Sequence, residues 1–581
     1  MFVKLTRSGG RAYAQLVESF RDESGTPRQR TVATIGRVDE AGGQVDAVLA
    51  GLLRVKGRPA SEAAAPQVRF ESALALGDVW ALTELWRELG FDSLAGVFRR
   101  ARFATPVEHA IRVMVFNRLC DAESKLGVLR WLQTVSLPEV DTAALTHQHL
   151  LRSMDALMDH QKAVDDCVAR LLRPLIDSEL SVVFYDLTTI RAEGASQQEG
   201  DVRHFGMSKE GVIARQFLLG VVQTADGMPI YHEVFDGNTA EAPTLEPTLK
   251  KVLSRYPHIR RLVVVADRGL LSADNIEALS KLRLSGEQAL EFILAVPGRR
   301  YGDFLEVLQP LSAQAAQDAA AARTAAGGEQ QADALAEAEW VAEAAWKGQR
   351  LVVAHDPQRA AEQTAQRKAR IAELQRRADQ LADKLDAQDE GQVQRGRKLS
   401  DSGAKARFFH EVSEAHLSRI IQVDLKSELF AYEIDQAALE RAEAMDGKLL
   451  LVTNVTDLTP AEIVQRYKSL ADIERGFRVL KSEIEIAPVF HRLPERIRAH
   501  ASICFMALIL YRAMRQRLKL AGSDLSPETA LAQLRRVQRH SVRINGGQPV
   551  QGISTIGAEQ AAVMKALKLK KPSQEAQLSL L

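Results

Sequence analysis

The sequence has little of what marks a secreted or membrane protein. Only three cysteines occur in 581 residues, at positions 120, 167 and 504; no two have metal-ligand spacing, and three cannot form a disulfide framework. The most apolar run, residues 501–511, is 11 residues long, whereas a bilayer span needs about 20. The first ten residues carry charges and glycines instead of an apolar signal core. We therefore expect a soluble cytoplasmic protein with no membrane partner, in which residues 501–511 form a buried helix.

The sequence also lacks an excess of either charge. Lys and Arg total 76, Asp and Glu total 75, and the net charge is +1, which argues against a simple polycation that coats nucleic acid. The balance is a sum of unlike segments, since the net charge is +4 in residues 1–37, −7 in residues 301–345 and +10 in residues 460–581. If DNA is bound, this distribution predicts contact with the two basic ends and an acidic insertion segment that faces away.

A chain of 581 residues is too long for one hydrophobic core, because domains usually hold about 100–200 residues. Apolar periodicity and turn residues divide it into predicted segments. These are a β-meander with possible DNA contact (1–40), a linker (41–72), a helical DNA-binding or scaffold domain (73–176), an α/β domain in two parts (177–300 and 456–522), an insertion between them (301–455) and a basic helical region (523–581).

Two aspartates interrupt predicted strands of the α/β domain. Asp186 lies within an otherwise apolar and β-branched strand, residues 182–190, and Asp267 follows the apolar strand that starts at Leu262. Between them, residues 213–224 and 228–235 form a predicted hairpin around an Asp-Gly turn. A charge in a buried strand is costly unless it is paired or binds a metal. A strand-end aspartate can also simply cap a helix or turn the chain.

A third acid, Glu474, lies on a predicted helix that begins with a capping box at Thr459 and proline at position 460. Tyr467 precedes it by seven residues and Lys481 follows it by seven. Seven residues are about two helical turns, so the three side chains share one side of a single helix. Taken alone, Glu474 and Arg478 could equally form an ordinary surface pair at i, i+4 spacing.

These segments together resemble a known family. The Tyr467, Glu474 and Lys481 spacing is similar to the Tyr-x2-Arg-x3-Glu-x6-Lys motif of bacterial insertion-sequence DDE transposases. The segments around Asp186 and Asp267 resemble the two aspartate segments of that family, and residues 205–209 and 235–239 resemble further stretches. Leu470 departs from the pattern, because it stands where the motif has arginine; Arg475 or Arg478 could replace that base.

The resemblance implies an α/β, RNase H-like fold: a mixed sheet with helices on both faces, interrupted by a β-rich and helical insertion. It implies that Asp186, Asp267 and Glu474 are catalytic metal ligands. Carboxylates are suited to Mg²⁺, for which Mn²⁺ can substitute, and such sites hold two ions about 3.5–4 Å apart. Expected DNA contacts are Tyr467, Arg478, Lys481, Lys209, Arg268, Arg492 and Arg496. Arg492, Arg496 and His500 are spaced to share one helical face.

The implied function is a transposase that binds the terminal inverted repeats of an insertion sequence, cleaves DNA at the element ends and joins the 3′-hydroxyls to target DNA. Both substrates are double-stranded DNA. A homodimer is expected because two ends must be brought together, and the protein would act in the bacterial cytoplasm at the nucleoid. Two alternatives stay open: a non-mobile RNase H-like nuclease and a catalytically inactive DNA-binding relic. Trp340 and Trp346 in the insertion could stack on an extruded base, although ordinary packing is favoured.

Overall fold

The computed structural model divides the chain into two compact units. The first comprises residues 1–76, 536–557 and 572–581, and the second comprises residues 77–535 and 558–571. The structure describes residues 1–8, 11–38, 43–56, 68–100, 103, 106–175, 181–194, 198–207, 213–284, 288–326, 339–390 and 399–572.

The first unit contains the predicted meander. Strands β1 (Phe2–Ser8), β2 (Arg11–Arg21) and β3 (Pro27–Arg37) form an antiparallel sheet in that order. Gly25 has a φ of 78° in the turn between β2 and β3, a conformation that glycine adopts without strain. The three predicted strands are therefore confirmed.

The predicted linker contains regular structure. Residues 43–55 form helix α1 (Gly43–Val55), and β4 (Val68–Ala75) covers the end of the segment; residues 57–67 lie outside the described part of the chain. The C-terminal region is not purely helical either. Its strands β16 (Gln538–Ile544) and β17 (Val550–Ile553) form a sheet in the order β17-β16-β4. Short strands whose partner is more than 460 residues away leave no local pattern that predicts the pairing.

The helical segment begins the second unit, and its prediction as helices is confirmed. Its core includes Trp86, which stacks on Phe91 with ring centroids 4.6 Å apart. The helices are α2 (Gly77–Glu88), α3 (Leu94–Arg100), α4 (Val107–Cys120), α5 (Lys125–Trp131), α6 (His147–Asp159) and α7 (Gln161–Leu172).

A mixed sheet forms the centre of the second unit. Its strands are β5 (Ser181–Arg191), β6 (His204–Met207), β7 (Ile213–Thr224), β8 (Pro229–Asp236), β9 (Leu262–Ala266), β10 (Glu291–Ala295), β11 (Trp340–Trp346), β12 (Gln349–His355) and β15 (Lys448–Thr453). The path runs β11-β12-β15-β10-β9-β5-β7-β6, and β8 also pairs with β7. Pairing is parallel for β5 with β9 and for β9 with β10, and antiparallel for β5 with β7 and for β7 with β8.

This arrangement is the predicted RNase H-like sheet. Asp186 lies on its first strand in chain order, β5, and Asp267 directly follows the fourth main strand, β9. Helices α8 (Leu245–Arg255) and α9 (Ala273–Lys281) cover one face through a continuous hydrophobic core.

The insertion adds to the sheet and also forms helices. Its strands β11, β12 and β15 extend the catalytic sheet beyond β10, so this part of the insertion is not a separate β domain. Trp340 and Trp346 on β11 pack against the core of the sheet, in agreement with the favoured packing interpretation. The remaining elements are α10 (Leu305–Ala326), α11 (Pro357–Asp389), α12 (Asp401–Glu414), β13 (Ile421–Val423), β14 (Tyr432–Ile434) and α13 (Gln436–Glu443).

The last helices complete the second unit: α14 (Pro460–Lys468), α15 (Ala471–Ser482), α16 (Pro494–Leu520), α17 (Pro527–Arg535) and α18 (Ala558–Ala566). By length and composition α16 could cross a membrane, but 94% of its most apolar window is buried inside the fold, which confirms the predicted core helix. His232 of β8 stacks on Phe505 of α16 with ring centroids 4.3 Å apart, so helices cover both faces of the sheet.

Candidate active site

Asp186 and Asp267 occupy equivalent positions on two adjacent parallel strands. The register of β5 and β9 pairs Ser181 with Leu262 and continues in steps to Tyr185 with Ala266. The next step brings Asp186 opposite Asp267. Neighbouring strands lie about 4.8 Å apart, and paired residues of a sheet project from the same face, so the two half-buried carboxylates are neighbours.

The two aspartates project from the face opposite the α8 core. Tyr185 and Ala266, the residues before them, belong to that core, and successive strand residues alternate between faces. Asp186 also accepts a hydrogen bond at Oδ1 from the Leu187 amide at 2.7 Å. The acids therefore lie on the face that α15 and α16 cover.

A short turn follows Asp267. A Cβ at Gly269 would lie 2.2 Å from Oε2 of Glu241, so a side chain there would displace the end of the Glu241 side chain. Asp267 ends β9 and precedes a short 3-10 helix, Arg268–Leu270, in which the Leu270 amide donates to the Asp267 carbonyl at 3.0 Å. The Asp-Arg-Gly sequence thus ends the strand sharply and leaves the Asp267 side chain at the sheet edge.

Tyr467 contacts one of the two acids directly. Its hydroxyl donates a hydrogen bond of 3.0 Å to Oδ1 of Asp267. Burial, the Asp267 charge and this hydrogen bond raise the pKa of Tyr467 far above its usual value, so the phenol stays protonated as the donor. The resemblance implied a DNA phosphate contact for Tyr467; in the structure this hydroxyl orients a carboxylate.

The segment that carries Glu474 is two helices, and the expectation of one helix from Pro460 is wrong. Helix α14 ends at Lys468, the Leu470 amide bonds the Tyr467 carbonyl three residues back at 2.9 Å, and α15 begins at Ala471. The capping box at Thr459 with proline at the first helical position is confirmed. Tyr467 therefore lies on α14 and Lys481 on α15. The turn between the two helices breaks the continuous face that the seven-residue spacing predicted.

Helix α15 nonetheless covers the face that bears the aspartates. A Cβ at Gly476 would lie 2.4 Å from Nε2 of Gln223, so the helix backbone packs closely on the Gln223 side chain of β7. Gln223 pairs with Phe184 and therefore projects on the same face as Asp186. Phe477 and Leu480 are buried. Glu474 belongs to this helix two residues before the contact, but its side chain lies outside the part of the chain that the structure describes.

The carboxylate pair fits a hard divalent cation, because oxygen ligands are those that Mg²⁺ and Mn²⁺ prefer. Within the described residues no group of three or more His, Cys, Asp or Glu side chains is arranged to hold a metal. Two carboxylates, Asp186 and Asp267, are available as ligands. The side chain of Glu474, the expected third ligand, lies outside the part of the chain that the structure describes.

The expected DNA-binding residues differ in their exposure and in their partners. Arg478 and Arg492 are exposed, and Lys481 and Arg268 are half-buried. Arg496 forms a two-bond ion pair with Asp155 at 2.7 and 2.8 Å. His500 is buried and bonds the Ile486 carbonyl at 3.0 Å. Helix α16 begins at Pro494, so Arg492 precedes it, and the predicted shared helical face is wrong for Arg492. Lys209 lies outside the described residues.

A basic cleft next to Asp267 was not predicted from the sequence. It has a volume of about 850 Å³, and of the lining side chains Asp446 is the only acid, already bound by Arg367 at 2.7 Å. The basic residues come from separate segments: Arg268, Arg299, Arg359, Arg367, Arg370, Arg419, Arg441 and Lys448. The net charge of the insertion does not reveal this cluster, because the acids of the insertion lie mostly outside the cleft. The recurrent arginines of α11 were the sequence feature that could have predicted a basic surface.

Comparison with known proteins shows the family. A family model described as the transposase DDE domain matches residues 177–510, more than half of the chain, and the chain belongs to the insertion-sequence DDE transposases. A second model, described as the N-terminal domain of IS1634 family transposases, matches residues 3–65.

Other comparisons add little. A search of curated proteins finds no significant match. Among solved structures, the synaptic complex of the piggyBac transposase with hairpin DNA aligns at 8% identity over 78% of this chain and 75% of that chain, with a TM-score of 0.37. A likeness at this level supports no argument about the present chain.

Proposed function

We propose that this transposase binds the terminal inverted repeats of its element, cleaves the phosphodiester bonds at the element ends and joins the freed 3′-hydroxyls to target DNA. The observation that carries the proposal is the register of β5 and β9, which extends from Tyr185 and Ala266 to an adjacent pair of acids. Two side-by-side carboxylates supply the oxygen ligands that a divalent cation prefers.

Each residue has a defined part in this proposal. Asp186, Asp267 and Glu474 hold Mg²⁺, or Mn²⁺ in its place, as a pair of ions. These ions supply activation of the attacking oxygen and stabilisation of the leaving oxygen. Tyr467 fixes the orientation of the Asp267 carboxylate through its hydrogen bond. The attacking group is water in the cleavage step and the 3′-hydroxyl of the element in the joining step.

The DNA backbone runs along the basic cleft beside Asp267. Within the described residues, six of its arginines have no ion-pair partner: Arg268, Arg299, Arg359, Arg370, Arg419 and Arg441. Unpaired guanidinium groups favour phosphate oxygens, because the bond is charge-assisted and can be bidentate. Exposed Arg478 and Arg492, together with Lys481, extend this surface. The insertion arginines of this path lie outside the acidic segment, residues 301–345, which is expected to face away from DNA.

The sharpest test is Glu474→Gln, assayed with Mg²⁺ on duplex DNA that carries the terminal repeats. The variant should bind this DNA with unchanged affinity and produce no cleavage, and Glu483→Gln, a change at an exposed acid one residue beyond α15, serves as the control. Normal cleavage by Glu474→Gln would contradict the site assignment.

The same assay separates the alternatives. Cleavage without joining by the native protein would favour a non-mobile nuclease, and binding without cleavage would favour an inactive relic. Light scattering on the DNA complex should show two copies of the chain for two ends, and a complex with one copy would refute the proposed homodimer. The protein is expected to act in the bacterial cytoplasm, at the nucleoid.

A further inference from the structure

A second cavity, of about 620 Å³, lies in the same unit beyond the far end of β5. Its rim is tied to the strand that carries Asp186, because the Val489 amide donates to the Arg191 carbonyl at 3.0 Å and the Glu193 amide donates to the Val489 carbonyl at 2.8 Å. These bonds place the rim of the cavity at the carboxyl end of the strand that carries Asp186.

Lys125 lines this cavity and is the unusual residue in it. Its side chain is only 7% exposed, yet the described part of the structure contains no hydrogen bond or ion pair to its ammonium group. Burial, followed by the nearby charge of Arg118, lowers the pKa of Lys125 from 10.5 to about 7. A buried, unpaired lysine is costly in the free protein, which indicates that its partner is a ligand.

Arg118 reinforces the positive charge. Its Nη atoms bond carbonyl oxygens, including those of Ile484 at 3.5 Å and Glu485 at 3.3 Å, and its buried Nε has no partner among the described residues. The two acids of the lining do not neutralise the cations: the nearest partner of Glu123 is Arg130, at 3.7 Å, and Glu485 is exposed. The lining thus places the charges of Lys125 and Arg118 near each other, and within the described residues neither of its two acids pairs with them.

Phe490 indicates which kind of anion the cavity could bind. This side chain lines the same cavity and is 70% exposed, so it offers a free aromatic face. Aromatic faces stack on nucleic-acid bases, a contact that an inorganic ion does not make. A nucleotide satisfies both features, with its phosphate beside the cations and its base against the ring.

We propose that this cavity binds one nucleotide of the substrate DNA strand, with its phosphate at Lys125 and Arg118 and its base on Phe490. The inference rests on the proposed function, since it assumes that the protein binds DNA. It adds a contact outside the metal site and outside the basic cleft, contributed by the helical segment that includes α5.

The test compares Lys125→Met with the wild-type chain by fluorescence anisotropy on labelled terminal-repeat duplex over a range of salt concentrations. Loss of one phosphate contact should weaken binding several-fold and reduce the slope of log affinity against log salt by roughly one. Lys162→Met, at a 90% exposed side chain on α7, should leave both values unchanged, and Lys125→Arg should retain the slope.

A thermal unfolding measurement separates binding from a structural role. Lys125→Met should unfold at the same or a higher temperature, because it removes an unpaired buried charge. A variant that unfolds earlier while its salt slope is unchanged would overturn the proposal, as would identical DNA binding. If dAMP stabilises the wild type but not Lys125→Met, while DNA binding is unaffected by the substitution, the ligand is a free nucleotide and not DNA. A wild-type chain that does not bind the duplex at all would refute the proposed function itself.

Discussion

The Tyr467 hydroxyl and the Asp267 carboxylate form a hydrogen bond of 3.0 Å across 200 residues of sequence. A hydrogen bond to a charged acceptor is worth about 1.5–3 kcal/mol. Replacement by phenylalanine leaves Asp267 free to rotate, so Tyr467→Phe should slow cleavage roughly 10- to 100-fold. Single-turnover cleavage should show a lower rate and a higher Mg²⁺ requirement with unchanged DNA affinity. A loss of DNA affinity at unchanged saturated rate would instead assign Tyr467 to phosphate binding.

The adjacent acids should make the stability of the protein depend on divalent metal. Asp186 and Asp267 occupy the next pair in the register after Tyr185 and Ala266, so one cation can bind both. Asp186→Asn and Asp267→Asn should each abolish cleavage, because Mg²⁺ prefers carboxylate ligands. Mg²⁺ should raise the unfolding temperature of the wild type more than that of either variant. An equal rise in all three chains would mean that the pair does not bind the metal.

Gly476 should be intolerant of even one added carbon. Its Cβ would lie 2.4 Å from the buried Gln223 amide, and overpacking of this kind costs about 1–3 kcal/mol. Gly476→Ala should lower the free energy of unfolding by that amount and slow cleavage, because it lifts α15 and Glu474 from the sheet. Gly96→Ala in α3, where no atom lies within 4 Å of the new Cβ, is the control and should stabilise by up to about 1 kcal/mol. Equal effects of the two changes would contradict the close approach.

The arginines of the basic cleft should contribute to affinity without contributing to sequence preference. Phosphate contacts carry no base information, and each one lost reduces the salt slope by about 0.9. Combined replacement of Arg359, Arg370 and Arg419 by alanine should weaken binding equally for repeat and unrelated duplexes. Lys384→Ala, at an exposed position of the same helix α11, should change nothing. A selective loss for the repeat alone would show that these arginines read bases.

Local patterns predicted the centre of the fold well. The limits predicted for β7 and the start predicted for β9 agree with the structure, because buried strands have continuous apolar runs bounded by turns. The 81-residue offset between Asp186 and Asp267 is visible in the sequence, but only the pairing of Tyr185 with Ala266 shows that this offset is also the strand register.

Features built from distant segments could not be predicted in this way. The sheet of β4, β16 and β17 joins the two ends of the chain, and the basic cleft gathers arginines from separate elements. Their stabilising contacts are long-range, so no window of sequence contains both partners. Helix α1 was missed for a different reason: its alanines and glycines are typical of linkers, although alanine also favours helix.

The lowered pKa of Lys125 makes the stability of the protein depend on pH. The unfolded chain keeps the Lys125 proton up to about pH 10.5, whereas the folded chain releases it near pH 7. The unfolded state therefore binds more protons between these values, and the stability of the wild type should rise with pH across this window. The charged groups around the ammonium are Arg118, Glu123, Glu485, Arg492 and Arg496, with His147, His491 and His500 also in the lining. Burial and neighbouring cations lower the pKa of His491 to about 3 and that of His500 well below 6.5, so neither ring titrates above pH 7.

The measurement is the difference in unfolding temperature between Lys125→Met and the wild type from pH 6 to pH 9. The variant should be the more stable chain at pH 6, where the buried ammonium is charged, and its advantage should shrink as the pH rises and the wild-type amine becomes neutral in the fold. Bound terminal-repeat DNA should reverse this order at pH 6, because a phosphate restores the partner of the ammonium. A difference that is independent of pH would show that Lys125 keeps its usual pKa, and would remove the electrostatic basis of the nucleotide cavity.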